Sequence, residues 1–329
     1  MSGDTDRNIF RALAGIGAEE AVARGLGARL RTQASPAVVK ALAALWLHCA
    51  IAAPERTRQI YDAAAEGYIG QPVTAAPAAG GLDPSPEAIP ADFWDALWDL
   101  VDSPRLRQGS LNLLARSPAL GDLISTRVQE RAAKTAMAIP GVAGAFGQGF
   151  PKPFSQDVLS RCSERSLGGL FHESIIAAGQ DFAVLDRELP ALARLQPPLP
   201  YLHARLHQCH RLWQIIGGYQ ATKLHDIAIL AFQLAQCGYP PAAMRLGLTF
   251  TLIAFERPEG AGIMMQTVLD AWVHGRRTPP LLGVNWPTVW SGPLEQARAK
   301  LNIASFVPAY PANLFEQVAP TTVSDSSGR

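Results

Sequence analysis

The chain has 329 residues, 48% of them hydrophobic and only 17% charged, with a formal net charge of +1. That length suits one large domain or two smaller ones around a sizeable apolar core, and the balanced charge leaves no electrostatic footprint for nucleic acid. Cys49, Cys162, Cys209 and Cys237 are scattered without CxxC spacing, which argues against a disulfide framework or zinc knuckle and for reduced, buried thiols. The start, MSGDTDRN, lacks a basic stretch followed by an apolar run, so it does not read as a secretory signal. No apolar run reaches membrane-spanning length. The nearest, Leu246 to Phe255, is broken by threonines.

Taken in chain order, residues 1–70 are rich in Ala, Leu and Arg with helical periodicity, as in Ala37 to Ala52, and read as an N-terminal helical extension. Residues 71–92 are dense in Pro, Ala and Gly and read as a linker. Helical patterning resumes at Ala91, with Phe93, Leu97 and Leu100 on one face. Pro140 to Pro153 is a second break, and Gly144-Ala-Phe-Gly147-Gln-Gly149 within it reads as a loop. Pro197, Pro198 and Pro200 then precede a helix that runs to about Ile216 and is stopped by Gly217-Gly218. Thr222 caps the next helix, which runs to Cys237. Pro241 opens a third, ending before Pro258; a fourth runs from Gly260 to His274 and ends at Gly275; Pro293 opens the last, through Leu294, Ala297 and Leu301. No alternating strand pattern occurs, so the fold class is all-α, a helical bundle. The Ser/Thr-rich end of the tail 305–329 reads as disordered.

Four of the seven histidines, His203, His207, His210 and His225, fall within 23 residues. The first three, with Gln214, recur at steps of 4, 3 and 4, which places them on one stripe of a helix. Such a stripe can hold a metal, meet a ligand, or form a wetted surface. Ser166-Leu-Gly-Gly169 before a helix offers either a phosphate site or a plain cap. The Leu246–Phe255 run, with Met264 and Met265, reads as core or as the wall of an apolar groove. The sequence has no GxxxxGK[ST], GxSxG or HExxH pattern.

The stretch His210-Arg-Leu-Trp-Gln214, Gly218-Tyr219, Leu224-His-Asp226 and the helix through Ala231-Phe232 and Ala235-Gln236 resembles the Coq4 family of ubiquinone-biosynthesis proteins. Ala271-Trp272, Gly275-Arg276-Arg277, Pro280-Leu281, Val284-Asn285-Trp286 and Pro293-Leu294 extend the likeness, as does Ser166-Leu-Gly168. The resemblance covers Ser155 to Ile303 well and Ala91 to Phe154 weakly, and implies a Coq4-like helical domain at 93–304. The family pattern is His-Asp-x-x-His, eleven residues, then Glu. His210 is kept, but Arg211 replaces the Asp, Gln214 the second His and Asp226 the Glu, with His225 just before it. An arginine cannot deprotonate, and it repels a divalent ion placed a few ångströms away. Asp226 falls short of a Glu by about 1.5 Å of reach.

The resemblance implies a Zn or Mg site at His210 and Asp226, here degenerate, with His207 and His225 as substitute ligands. Arg211 and Asp226 are expected either to form an ion pair that clamps the two helices or to leave Arg211 for an anionic substrate group. The catalytic candidates are His210, Asp226 and His225, which would act as acid–base groups in an enzyme of altered chemistry, and the substrate-binding ones are His207, Arg211, Gln214, Trp213 and Tyr219. The implied function is binding of a polyprenylated aromatic intermediate of quinone synthesis and support of its oxidative decarboxylation at C1. The alternatives are a metal-free paralogue that binds a prenyl lipid or a partner without catalysis, and an enzyme with altered acid–base chemistry. Expected partners are the prenylated substrate, other quinone-biosynthesis proteins and a second copy in a homodimer. The expected location is the cytoplasm, with peripheral association at the inner face of a membrane.

Overall fold

The computed structural model describes residues 2–15, 19–74, 87–103, 119–179, 195–256 and 258–318. Among them the only extended pairing is an isolated bridge between Ser166 and Pro293; everything else regular is helical. The all-α expectation is met.

Four helices build the N-terminal part: α1 (Ser2–Gly15), α2 (Glu20–Thr32), α3 (Pro36–Ile51) and α4 (Thr57–Ile69). Helix α3 starts on a Ser35 cap with Pro36 in its first turn. Val38, Val39 and the whole stretch Leu42 to Cys49 are buried. A helix apolar on every side needs cover on every side. Helices α2 and α4 cross at two glycines. A Cβ on Gly27 would stand 1.9 Å from the Ala64 carbonyl oxygen, and one on Gly67 would stand 1.9 Å from that of Arg24. Only glycine permits this approach.

After α5 (Ala91–Val101) and α6 (Thr126–Met137), a single helical turn, α7 (Val142–Phe146), occupies the segment expected as a loop. Gly141, at φ +86°, starts that turn, and the Gly147–Gly149 stretch ends it. Two further helices follow, α8 (Gln156–Ser160) and α9 (Leu167–Ala177). The family-like part then runs α10 (Leu199–Gly217), α11 (Lys223–Cys237), α12 (Pro240–Glu256), α13 (Ala261–Arg277), α14 (Leu294–Leu301) and α15 (Leu314–Val318). The proline starts and the Gly218 stop of α10 fall where the sequence places them. Gly275 does not stop α13, which continues to Arg277. That glycine lets α13 lie against α11, since a Cβ there would approach the Phe232 carbonyl oxygen to 2.8 Å.

One apolar cluster runs from Phe10 to Phe306 and includes both the extension and the family-like helices. Helix α12 seats on α3 at Gly247, where a Cβ would come within 3.0 Å of the Leu47 Cα. Leu246, Phe250, Leu252 and Met265 are fully buried there, and Trp46 meets Phe250 edge-on at 5.2 Å. The Leu246–Phe255 run is therefore core packed against α3, and not the wall of an open groove.

Polar ties reinforce the same junction. Trp46 stacks on Tyr61 at 4.6 Å, and Tyr61 lies 4.7 Å from Trp272. The Trp272 Nε1–H donates to Asp62 at 2.8 Å, and Arg276 grips both carboxylate oxygens of Asp62 at 2.9 and 3.0 Å. Gln266 donates to the Leu30 carbonyl at 2.8 Å, and Arg131 pairs with Glu55 through two nitrogens. The linker residues 75–86 and the tail residues 319–329 lie outside the described residues.

Candidate functional site

Helices α10 and α11 are joined by a short turn that fixes how they face. Gly218, at φ +79°, closes α10. The Thr222 hydroxyl caps α11 by accepting from the His225 backbone N–H at 3.3 Å. This brings one face of α10 (His203, His207, His210, Arg211 and Gln214) toward α11 and α12. His203 bonds to the Tyr239 hydroxyl through Nδ1, and its ring lies 6.3 Å from that of the exposed His207.

His210 Nδ1 accepts from the Gln233 side-chain amide at 3.0 Å. The neutral ring therefore carries its proton on Nε2. Burial, then the charges of Arg211 and Arg245, hold its pKa down at about 4. His210 is thus an uncharged imidazole at neutral pH, with no lone pair left over.

Arg211 and Asp226 are linked, but not directly. Arg211 donates to the Gln214 carbonyl oxygen at 3.0 Å, and the Gln214 amide nitrogen donates to Asp226 Oδ1 at 3.3 Å. Gln214 is 4% exposed, so its amide is committed to this relay. The expected ion-pair clamp is corrected accordingly: one amide stands between the two charges. Burial raises the pKa of Asp226, opposed by Arg211, the Gln214 hydrogen bond and Arg245. Arg211 keeps a buried Nε–H that meets no hydrogen-bond partner. Arg245, on α12, is a half-buried second cation whose pKa is lowered by burial and lifted by Tyr239 and Asp226.

His225, Trp213 and Tyr219 lie in other surroundings. His225 is 1% exposed; its Nδ1 accepts from the Gln220 backbone N–H at 2.9 Å, and its ring sits edge-on to Tyr219 and Phe306. The Tyr219 hydroxyl donates to His274 Nδ1 at 2.8 Å, because His274 Nε2–H is given to the Ala304 carbonyl. Tyr219 also stacks on Phe306 at 4.5 Å. Trp213 is fully buried and edge-on to Phe232. Tyr219 and His225 knit the α10–α11 turn to the C-terminal segment through Phe306, while Trp213 packs on Phe232 of α11.

The donor set does not fit a divalent metal. His210 and His225 each accept on Nδ1 and so present an N–H, not a lone pair, at Nε2. Two guanidinium groups act on Asp226, and a second carboxylate, Glu316, lies near enough to raise its pKa. Among the described residues, no three His, Cys, Asp or Glu side chains converge on a common point. Four oxygen or nitrogen lone pairs are the usual minimum for Zn, and Mg asks for more.

The turn before α9 is closed in the same way to a phosphate. The Ser166 hydroxyl accepts from Gly169 N–H at 3.1 Å, while Leu167 and Gly168 give their N–H groups to the carbonyls of Gly292 and Trp290. It is a helix cap. Cys49, Cys209 and Cys237 are buried thiols and Cys162 is half-buried. Burial pushes the Cys209 pKa up to about 11.

The family model described as coenzyme Q (ubiquinone) biosynthesis protein Coq4 matches residues 190–306. Over that stretch, about a third of the chain, the sequence is similar to the Coq4 family. A mitochondrial ubiquinone biosynthesis protein Coq4 homologue from Drosophila ananassae is 26% identical over 107 residues, which is 32% of this chain and 40% of that protein. The mitochondrial Coq4 protein of Eremothecium gossypii is 26% identical over 148 residues, 45% of this chain and 44% of that one. The matches thus span less than half of these curated relatives. A crystal structure from Nostoc punctiforme, named for ubiquinone biosynthesis, is 20% identical with a TM-score of 0.48, covering 65% of this chain and 97% of that one. The Coq4 region contains every member of the His210 face, and the extension packed on α12 and α13 lies wholly outside it.

Three members of that face were not singled out from sequence. Gln233 stands seven residues after Asp226, two turns along the same helical face, so spacing alone could have found it. Arg245 is the one charged residue of α12 before Glu256, a cation in an otherwise apolar run. Tyr239 gave no signal, because it acts through a turn.

Proposed function

We propose that the chain serves ubiquinone synthesis as a metal-free Coq4 protein that holds a prenylated aromatic intermediate by its polar head. Two things support the reading: the family match over residues 190–306, and a His210 face whose donors suit an anion better than a cation. The buried Arg211 Nε–H and the neighbouring Arg245 supply positive charge without a carboxylate in direct contact. A ring carboxylate or phenolate oxygen is the head-group chemistry that completes them, because guanidinium forks bind such oxygens with fixed geometry. The neutral His210 adds an Nε2–H donor. Association with other quinone-synthesis proteins belongs to the same reading.

No described helix is long and apolar enough to cross a membrane. Complementation of a bacterial or yeast strain lacking its own Coq4 protein tests the pathway. Restored quinone that is lost on Arg211→Leu supports the reading. Failure with well-expressed, folded protein overturns it. Native mass spectrometry of the purified chain tests the cargo directly: a co-purified prenylated phenol or benzoate is expected.

A further inference from the structure

A cleft of about 490 Å³ opens between the N-terminal extension and the Coq4 region, on the side of α4. Its walls include Arg58 and Gln59 of α4, Thr74, Pro140, Gln236 and Arg276. That volume lies in the range of small-molecule sites. The polar groups around it are unequally satisfied. Arg276 is spent on Asp62, and Glu55, at the rim, is spent on Arg131. The Gln236 amide is fully used, donating to the carbonyls of Gly275 and Thr278 and accepting from Leu281 N–H. Two groups are left over. Arg58 Nε is buried without a hydrogen-bond partner, and so is Gln59 Oε1. Among the described residues, no carboxylate forms an ion pair with Arg58.

A buried guanidinium N–H without an acceptor is costly, and so is a buried carbonyl oxygen without a donor. Burial first, and the like charge of Arg276 second, lower the Arg58 pKa to about 10, with Asp62 opposing them without a direct ion pair. One ligand chemistry answers both groups at once, an anionic oxygen for Arg58 next to an O–H or N–H for Gln59.

We propose that this cleft is a binding site for a small hydroxylated anion, a phosphate or carboxylate held by Arg58 with its hydroxyl donated to Gln59. The site is separate from the His210 face and does not depend on the function proposed for that face. Because α4 lies outside the family match, the site is a feature of this chain's extension and not of the Coq4 region alone.

The full-length protein is titrated with glycerol 3-phosphate, with malate and with inorganic phosphate, while melting temperature is followed at constant ionic strength in KCl. Saturable stabilisation by one of the hydroxylated anions, exceeding that by inorganic phosphate, is expected. Glycerol 3-phosphate against malate decides between phosphate and carboxylate. Gln59→Leu should abolish the advantage of the hydroxylated anion and keep the phosphate response; Arg58→Gln should abolish both. Crystals soaked in selenate give a readout that needs no variant, with anomalous selenium density expected beside the Arg58 guanidinium. Anion responses no larger than that of chloride, or responses unchanged in Arg58→Gln, overturn the proposal, as does selenium density found only elsewhere.

Discussion

Arg211 and Gln214 stand where the Coq4 pattern carries Asp and His, and each limits what the other can do. Arg211 occupies the Gln214 carbonyl, which turns the amide nitrogen to Asp226. Gln214→Leu, close in volume, would strand a buried cation and leave the carboxylate without its donor. A loss of about 1–3 kcal/mol in stability is expected from urea unfolding. The reverse change is also informative: Arg211→Asp with Gln214→His and Asp226→Glu restores the family quartet, and elemental analysis of that triple variant should find bound divalent metal. Two buried groups make opposite pH predictions. His210, at about 4 in the fold against 6.5 unfolded, takes its proton first in the unfolded chain. Its contribution is complete above pH 6.5 and is lost as pH falls toward 4. Asp270 has its pKa raised to about 6 by burial, against bonds from Ala309 and Tyr68 that lower it. The native state therefore holds that proton longer, and stability falls as pH rises from about 4 to about 6. Asp270→Asn should thus gain more, relative to the parent, at pH 8 than at pH 4. Equal effects at both pH values would contradict the burial of this carboxylate.

Helix ends were largely legible from the sequence because the residues that set them act locally. Thr222 caps α11 and Gly218 ends α10 through their own hydroxyl and backbone freedom. Gly275 misled for a physical reason: glycine serves equally as a stop and as a gap between helices, and only the neighbour decides which. Here the neighbour is the Phe232 backbone, and Gly275→Ala should cost about 1–3 kcal/mol through overpacking. Gly27→Ala should cost at least as much, since its Cβ would meet a carbonyl oxygen at 1.9 Å. Thermal unfolding checks both, with the fully open Gly25→Ala as the harmless control. The candidate site was half legible. Helical spacing set His203, His207, His210 and Gln214 on one face correctly. It could not show that His225 turns toward Tyr219 and Phe306, since one residue along a helix rotates the side chain about 100°.

At the scale of the whole molecule, the extension of residues 1–70 is the part the sequence explained least. Its signal was present in α3, which is apolar on all sides and so demands two partners. Which partners could not be read, because they lie some two hundred residues away. Asp62 shows how far the dependence goes: it receives Trp272 Nε1–H and both arms of Arg276. Asp62→Ala leaves a buried guanidinium unpaired, and a loss of about 3–5 kcal/mol is expected. The extension and the Coq4 region share one core, so expressing residues 91–329 alone should give aggregated protein with the α12 and α13 faces exposed. A soluble, monomeric fragment with native-like near-ultraviolet dichroism would contradict that shared core. Charge decides the reading proposed for the His210 face: a neutral histidine, an amide relay and two arginines stand where the resemblance to Coq4 implies metal ligands. Elemental analysis of the purified full-length protein, after incubation with excess Zn and Mg and removal of free ions, tests it most directly. No stoichiometric metal is expected; one tightly bound equivalent, released on His210→Ala, would overturn the reading.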